Sequence, residues 1–165
     1  MHIRPATTAD LPSLPRIEVA AGELFREIGM HEIADHPPPP VTELAAAPAV
    51  FVADADGAVV GYARIELVDD RTHLEQLSVL PDHGGQGIGT ALIDAVCDWA
   101  RERGDAGVTL TTFRHVAFNA PLYAKRGFTE VVEAAWTPGI RALIAEEASL
   151  GLDPADRVVM RRAVS

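Results

Sequence analysis

Apolar residues in the first part of the chain recur at helical spacing. Ile17, Ala20, Ala21, Leu24, Phe25 and Ile28 fall three and four apart, and Gly29 stops the run. Pro12 and Pro15 fit only a first turn, so the helix is expected to begin near Ser13. Thr7, Thr8 and Asp10 are its capping candidates. Met1 to Arg4 ahead of it reads as a short edge strand closed by Pro5. His36 to Pro40, HPPPP, is too stiff for a helix and reads as a rigid loop inside one domain. From Val50 the pattern becomes strand-like, over Val50 to Ala53, Ala58 to Val68 and Thr72 to Leu80. Asp56-Gly57 is a strong hairpin turn, and Asp69, Asp70 and Arg71 make the next one. Sequential strands joined by tight turns must run antiparallel.

The helical period then returns. Leu92, Ile93, Val96, Trp99 and Ala100 share one face of a helix expected over Thr90 to Arg103, while Asp94, Asp98, Arg101 and Glu102 lie away from it. Gly107 to Phe113 follows as a strand rich in β-branched residues, so strand, helix and strand form a parallel right-handed unit. Asn119-Ala-Pro opens a short helix that ends at Gly127. Phe128 to Trp136 reads as a strand, Ile140 to Leu150 as a helix and Arg157 to Val164 as the last strand. The expected fold is α/β: a mixed central sheet of about seven strands, antiparallel in its N-terminal part with a parallel central pair, flanked by helices. Residues 1–165 read as a single domain.

Composition narrows the function classes. Lys plus Arg number 14 against 24 for Asp plus Glu, a net charge of −10, and Lys125 is the sole lysine. A nucleic-acid binder needs a positive stripe, so that class is set aside, as is a membrane span: the longest apolar run, Leu44 to Ala53, is broken by Pro48. The single cysteine, Cys97, sits among apolar helix neighbours and reads as packing. His31 and His36 are five apart, on different sides of a helix, so no metal site is expected. The N-terminus lacks the apolar core of a signal peptide, and the protein is expected to be cytoplasmic.

The segment Leu77-Ser-Val-Leu-Pro-Asp-His-Gly-Gly-Gln-Gly-Ile-Gly-Thr90 carries the chemistry. A strand runs into a loop with Gly84, Gly85, Gly87 and Gly89, which opens an amphipathic helix. Glycines let backbone N–H groups crowd inward, and a helix start adds unpaired donors and partial positive charge. Together they suit a phosphate or pyrophosphate. Neither a dinucleotide fingerprint nor a P-loop fits: Thr90 or Leu92 stands where the third glycine belongs, and Lys125 is far from the loop.

Val79 to Leu92 resembles the acetyl-CoA-binding motif of the GNAT N-acetyltransferase superfamily. Asn119-Ala-Pro-Leu-Tyr-Ala-Lys-Arg-Gly-Phe128 matches a second patch of that superfamily in the spacing of Asn119, Tyr123, Gly127 and Phe128. The resemblance implies that the strand at Leu77, Ser78 and Val79 splays from its parallel neighbour near Thr111 to Phe113. Pantetheine would pair with the backbone of Leu77 and Val79 like an added strand. The pyrophosphate would rest on N–H groups of Gly84, Gly85, Gln86, Gly87, Ile88, Gly89 and Thr90, and Asn119 would touch the cofactor arm. The first motif position, normally Arg or Gln, is Gly84 here; His83 or the backbone is expected to take over its role.

The implied reaction is transfer of an acetyl group from acetyl-CoA to a primary amine of a small molecule or peptide, by direct attack in a ternary complex. Tyr123, by matched position, is the proton donor to the leaving sulfur. Two residues remain as the base. Glu75 and His73 lie two apart on one strand and so share a face. A catalytically idle acyl-CoA-binding sensor is the alternative, motivated by Gly84. The acidic balance favours amines, polyamines or aminated antibiotics as acceptors. A homodimer through the C-terminal strands is kept as an option.

Overall fold

The computed structural model describes residues 1–164. Seven strands form one mixed sheet in the order β1-β2-β3-β4-β5-β7-β6. They are β1 (His2–Pro5), β2 (Ala49–Ala55), β3 (Ala58–Val68), β4 (Arg71–Val79), β5 (Gly107–Phe113), β6 (Thr129–Glu130) and β7 (Arg157–Ala163). β1 pairs antiparallel with β2, and β2 with β3; β4 and β5 are parallel, with His73 opposite Thr109; β7 pairs antiparallel with β5 and with β6. The α/β class, the meander and the parallel central pair all agree with the sequence pattern. Among the described residues, no helix is long and apolar enough to cross a membrane.

The turns follow from residue chemistry. Asp56 and Gly57 have φ of +53° and +90°, the pair of positive values that a tight hairpin needs, and Asp54 Oδ1 accepts the Gly57 N–H at 2.7 Å. Asp69 and Asp70 also sit at positive φ, +52° and +58°, where a short polar side chain is tolerated.

The chain gathers into two units, one made of Met1–Ile65 with Gln76–Val96, the other of Glu66–Glu75 with the chain from Cys97 onward. β4 therefore belongs to both, changing unit between Glu75 and Gln76.

In the first unit α1 (Leu14–Glu27) turns Leu14 and Ile17 inward. They pack with Leu11, Val52, Tyr62 and Leu44, the last from α3 (Val41–Ala46). The neighbouring residue on β3, Gly61, faces the opposite way: a Cβ there would lie 2.9 Å from the Ser78 carbonyl and 3.4 Å from the side chains of Ile88 and Leu92. Glycine is required for that close approach of β3 to β4 and to the start of α4 (Ile88–Glu102). In the second unit α6 (Pro138–Ser149) packs Ile140 and Ile144 on Val159.

Several expectations need correction. α2 (His31–Ala34) and α3 are short helices flanking the proline run, which the pattern did not predict. Phe128 to Trp136 is not one strand. The strand is Thr129–Glu130, paired with β7 and followed by one more bond from the Val131 N–H to the Val159 carbonyl at 2.8 Å; Glu133–Ala135 then forms a 3-10 turn, and the Trp136 indole N–H donates to the Val131 carbonyl at 2.9 Å. Trp99 is half-buried rather than a core residue, with the Arg103 guanidinium 5.3 Å from its ring centre. Cys97 is buried, as expected.

Candidate functional site

In the first unit the sequence motif becomes a backbone cradle. β4 ends at Val79, a 3-10 turn covers Pro81–His83, and α4 begins at Ile88. Gly85 and Gly87 between them have φ of +75° and +80°, and a Cβ at either would meet open space. Glycine therefore answers a backbone demand here rather than a lack of room. The Gly87 carbonyl accepts from the Ala91 N–H at 3.0 Å and so caps α4. The first N–H groups of such a helix have no acceptor inside it, and its 15 residues add a partial positive charge at this end.

Gly84, Gly85, Gln86, Gly87 and Thr90 are exposed, whereas Ile88 and Gly89 are buried. The helix start is thus anchored by Ile88 and Gly89, while the loop ahead of it faces solvent. This arrangement fits a pyrophosphate by amides and dipole alone. Gly84 supplies no side chain, and His83 stands half-buried at the loop's edge.

Leu77 and Val79 are half-buried on one face of β4. Ser78, on the other, is buried and accepts from Gln76 Nε2 at 2.9 Å. The Ser78 oxygen is thus engaged by a neighbour on β4 itself.

In the second unit His73 is fully buried at 1% exposure, and its Nδ1 lies 2.7 Å from the Thr109 hydroxyl across the parallel pair. Burial pushes its pKa down to about 4, so the ring is neutral at pH 7. Its Nε2 lies 3.8 Å from Glu75 Oε2, and the Glu75 side chain is 37% exposed. The two base candidates are brought together, one sunk in the sheet and the other at its surface.

Asn119 caps the start of α5 (Ala120–Lys125) and Tyr123 lies one turn on within it, where the Asn119 carbonyl accepts the Tyr123 N–H at 2.9 Å. The Asn119 side-chain amide donates to the Phe118 carbonyl at 3.0 Å. The Tyr123 ring meets Phe128 edge-on, with centroids 5.7 Å apart. Gly127, at φ +92°, makes the turn that returns the chain for this contact, and the Phe128 N–H donates to the Tyr123 carbonyl at 3.2 Å. Burial pushes the Tyr123 phenol up to about 12, which keeps it protonated across the neutral range.

Two groupings escaped the sequence reading. In the first unit Tyr62, wholly buried on β3, donates its hydroxyl to Glu18 Oε1 on α1. Desolvation raises the Glu18 pKa and pushes the Tyr62 phenol far above its usual range. The available signal was a carboxylate next to Ile17 on the inward side of an amphipathic helix. In the second unit Arg157 pairs with Glu147 at 3.0 Å, both nearly buried, and the Thr111 hydroxyl donates to Glu147 at 2.7 Å. Arg157 also lies 4.5 Å from the Phe113 ring centre. These partners are distant in sequence, and no local pattern announces them.

Comparison with known proteins adds an independent line. The model of the acetyltransferase (GNAT) family matches residues 17–128. Streptothricin acetyltransferase of Streptomyces lavendulae is 36% identical over 81 residues, which cover 47% of this chain and 43% of that protein. The chain spans less than half the length of the curated relatives it matches. A GNAT-family acetyltransferase from Staphylococcus aureus Mu50 superposes with a TM-score of 0.74 at 16% identity, over 99% of each chain. PaiA N-acetyltransferase of Thermoplasma acidophilum, solved in complex with coenzyme A, superposes with a TM-score of 0.65 at 15% identity, over 98% of each chain. At such identities these two likenesses are ones of fold.

Proposed function

Since this chain belongs to the acetyltransferase (GNAT) family, we propose that it transfers the acetyl group of acetyl-CoA to a primary amine of a small molecule or peptide, by direct attack in a ternary complex. The observation that carries this reading is the loop at Gly84 to Gly89, with two residues at positive φ feeding the start of α4. Residues 1–165 are taken as one acetyltransferase domain, because the family match reaches into both units.

Acetyl-CoA supplies an activated thioester. The N–H groups from Gly85 to Thr90 would hold its pyrophosphate, since the Gly84 N–H, expected to share in this, already donates to the Pro81 carbonyl at 3.0 Å; the main chain of Leu77 and Val79 would hold its pantetheine arm. Asn119 is carried over from the motif as a contact to that arm.

The acceptor must lose a proton. A lysine-like amine has a pKa of about 10.4, so on the order of one molecule in a thousand is unprotonated at neutral pH. Glu75 is assigned as the base, directly or through water, because its carboxyl reaches solvent while His73 does not. The amine nitrogen attacks the thioester carbon, the carbon–sulfur bond breaks, and Tyr123 donates to the departing sulfur. A phenol held near 12 is protonated when that demand arises.

Acceptor-dependent thiol release across a broad panel of amines, amino acids and peptides tests the proposal. Turnover with any of them supports it and rules out the idle sensor. Tyr123→Phe is expected to lower kcat by about 10–100-fold while acetyl-CoA affinity stays within twofold. An unchanged kcat would make Tyr123 a packing residue.

A further inference from the structure

His73 lies behind Glu75, and acetyl transfer as described makes no use of it. A histidine at 1% exposure is costly to place in a sheet unless its ring nitrogens are occupied. One of them is: Nδ1 lies 2.7 Å from the Thr109 hydroxyl. The other, Nε2, lies 3.8 Å from Glu75 Oε2, beyond hydrogen-bond length by a few tenths of an ångström that a carboxyl rotation can close.

Resting on the assignment of Glu75 as the base, we propose that His73, held at Nδ1 by Thr109, is a positioning residue for it, with the carboxylate selecting the Nε2–H tautomer so that this N–H faces Glu75.

The tautomer follows from electrostatics. A neutral imidazole has one donor and one acceptor nitrogen. With the proton on Nδ1, the lone pair of Nε2 would face a carboxylate oxygen and repel it. With the proton on Nε2, the contact is attractive, and the Thr109 hydroxyl donates to Nδ1. A threonine serves either arrangement because its hydroxyl rotates, so the carboxylate decides. The ring stays neutral at working pH, since burial opposes its charging. It therefore orients Glu75 without removing the negative charge that takes up a proton.

Among the charged groups of this unit, Arg161 of β7 stands opposite Thr109, with its guanidinium over Gly107. Glu147 of α6 and Arg157 of β7 pair with each other and share Thr111. β5 presents the uncharged Thr109 to the ring, and β3 contributes Glu66 to the same unit. The arrangement has the logic of a ligating or catalytic side chain steadied from behind by a hydrogen-bonded partner.

The test needs neither acceptor nor cofactor. In histidine-labelled protein, 15N NMR at pH 7 should show His73 as the Nε2–H tautomer; the Nδ1–H form would overturn the proposal. In glutamate-labelled protein, with the signal assigned by Glu75→Gln, the 13C titration midpoint of Glu75 should rise by about 0.5–1 unit in His73→Phe and return in His73→Gln, whose amide restores a donor. Coincident midpoints in all three proteins would overturn it. Should His73→Phe not fold, Thr109→Val keeps the volume and removes the hydroxyl. The carboxylate still selects Nε2–H there, but Nδ1 loses its donor, so the Nδ1 signal should move downfield; a spectrum identical to wild type would contradict the scheme. Failure of the amine panel would remove the acetyl-transfer reading and leave this coupling measurable, so the two failures are separable.

Discussion

Glu18 and Glu75 are both carboxylates beside a buried ring, and burial falls on opposite partners. At Glu18 the carboxyl is itself drawn inward with Tyr62, and desolvation raises its pKa. At Glu75 the carboxyl remains at the surface, and the histidine behind it bears the burial, with its pKa lowered to about 4. The first arrangement fastens between a helix and a strand a carboxyl whose charged form desolvation disfavours. The second keeps an accessible anion next to a neutral donor. Residue type alone does not separate them; which partner loses water does.

The largest expected effect is on chemistry. Glu75→Gln should lower kcat/KM by about 10²–10³-fold, with acetyl-CoA affinity unchanged, as measured by thiol release and calorimetry on the same preparation. Glu18→Gln should lower it by less than tenfold. Equal losses would erase the distinction.

Stability against pH provides the next contrast. His73 has a folded pKa of about 4 against 6.5 for the ordinary side chain. A buried neutral histidine binds fewer protons than the unfolded one, so its contribution is complete above 6.5 and is lost as pH falls toward 4. The loss is on the order of 3 kcal/mol at its limit. Urea unfolding should show a wild-type slope through that window which His73→Gln flattens.

Glu18 titrates in the opposite sense. Its folded pKa is raised above 4.5, so its contribution is complete below that value and is lost as pH rises through the folded pKa. Glu18→Gln should remove this dependence, and at neutral pH it should be at least as stable as wild type. Tyr62→Phe, which leaves the carboxyl without its donor, should cost about 1–2 kcal/mol in the same denaturant series. A stabilising Tyr62→Phe would contradict the role given to this hydrogen bond.

The sequence revealed what depends on neighbours in the chain. Ala58–Val68 was readable to the residue because Gly57 and the Asp69-Asp70 pair bound it, and Gly107–Phe113 because β-branched and apolar residues follow a glycine without a break. The loop from Gly84 to Gly89 was readable because a backbone demand selects glycine. α2 and α3 were not, since helices of four and six residues barely complete a hydrophobic period. The strand expected over Phe128 to Trp136 failed because tertiary contacts override propensity there: β7 pairs with only its first part, and Trp136 turns back to Val131. Glu18 with Tyr62 and Thr111 with Glu147 are joined across 44 and 36 residues, distances at which no periodicity speaks. His73 and Glu75 were found together because strand alternation sets their face, but alternation carries no information on which of them is buried.

Everything chemical in this account depends on a backbone cradle for a nucleotide pyrophosphate. Calorimetric titration of the chain with acetyl-CoA tests it most directly, beside Gly87→Val, whose β-branched side chain cannot adopt the loop's φ of +80° without strain. The account predicts saturable binding at one site per chain in the micromolar range, weakened at least about tenfold in the variant, equivalent to about 1.4 kcal/mol, while the variant stays folded. No saturable heat at high micromolar acetyl-CoA, or equal affinity in both proteins, would contradict it.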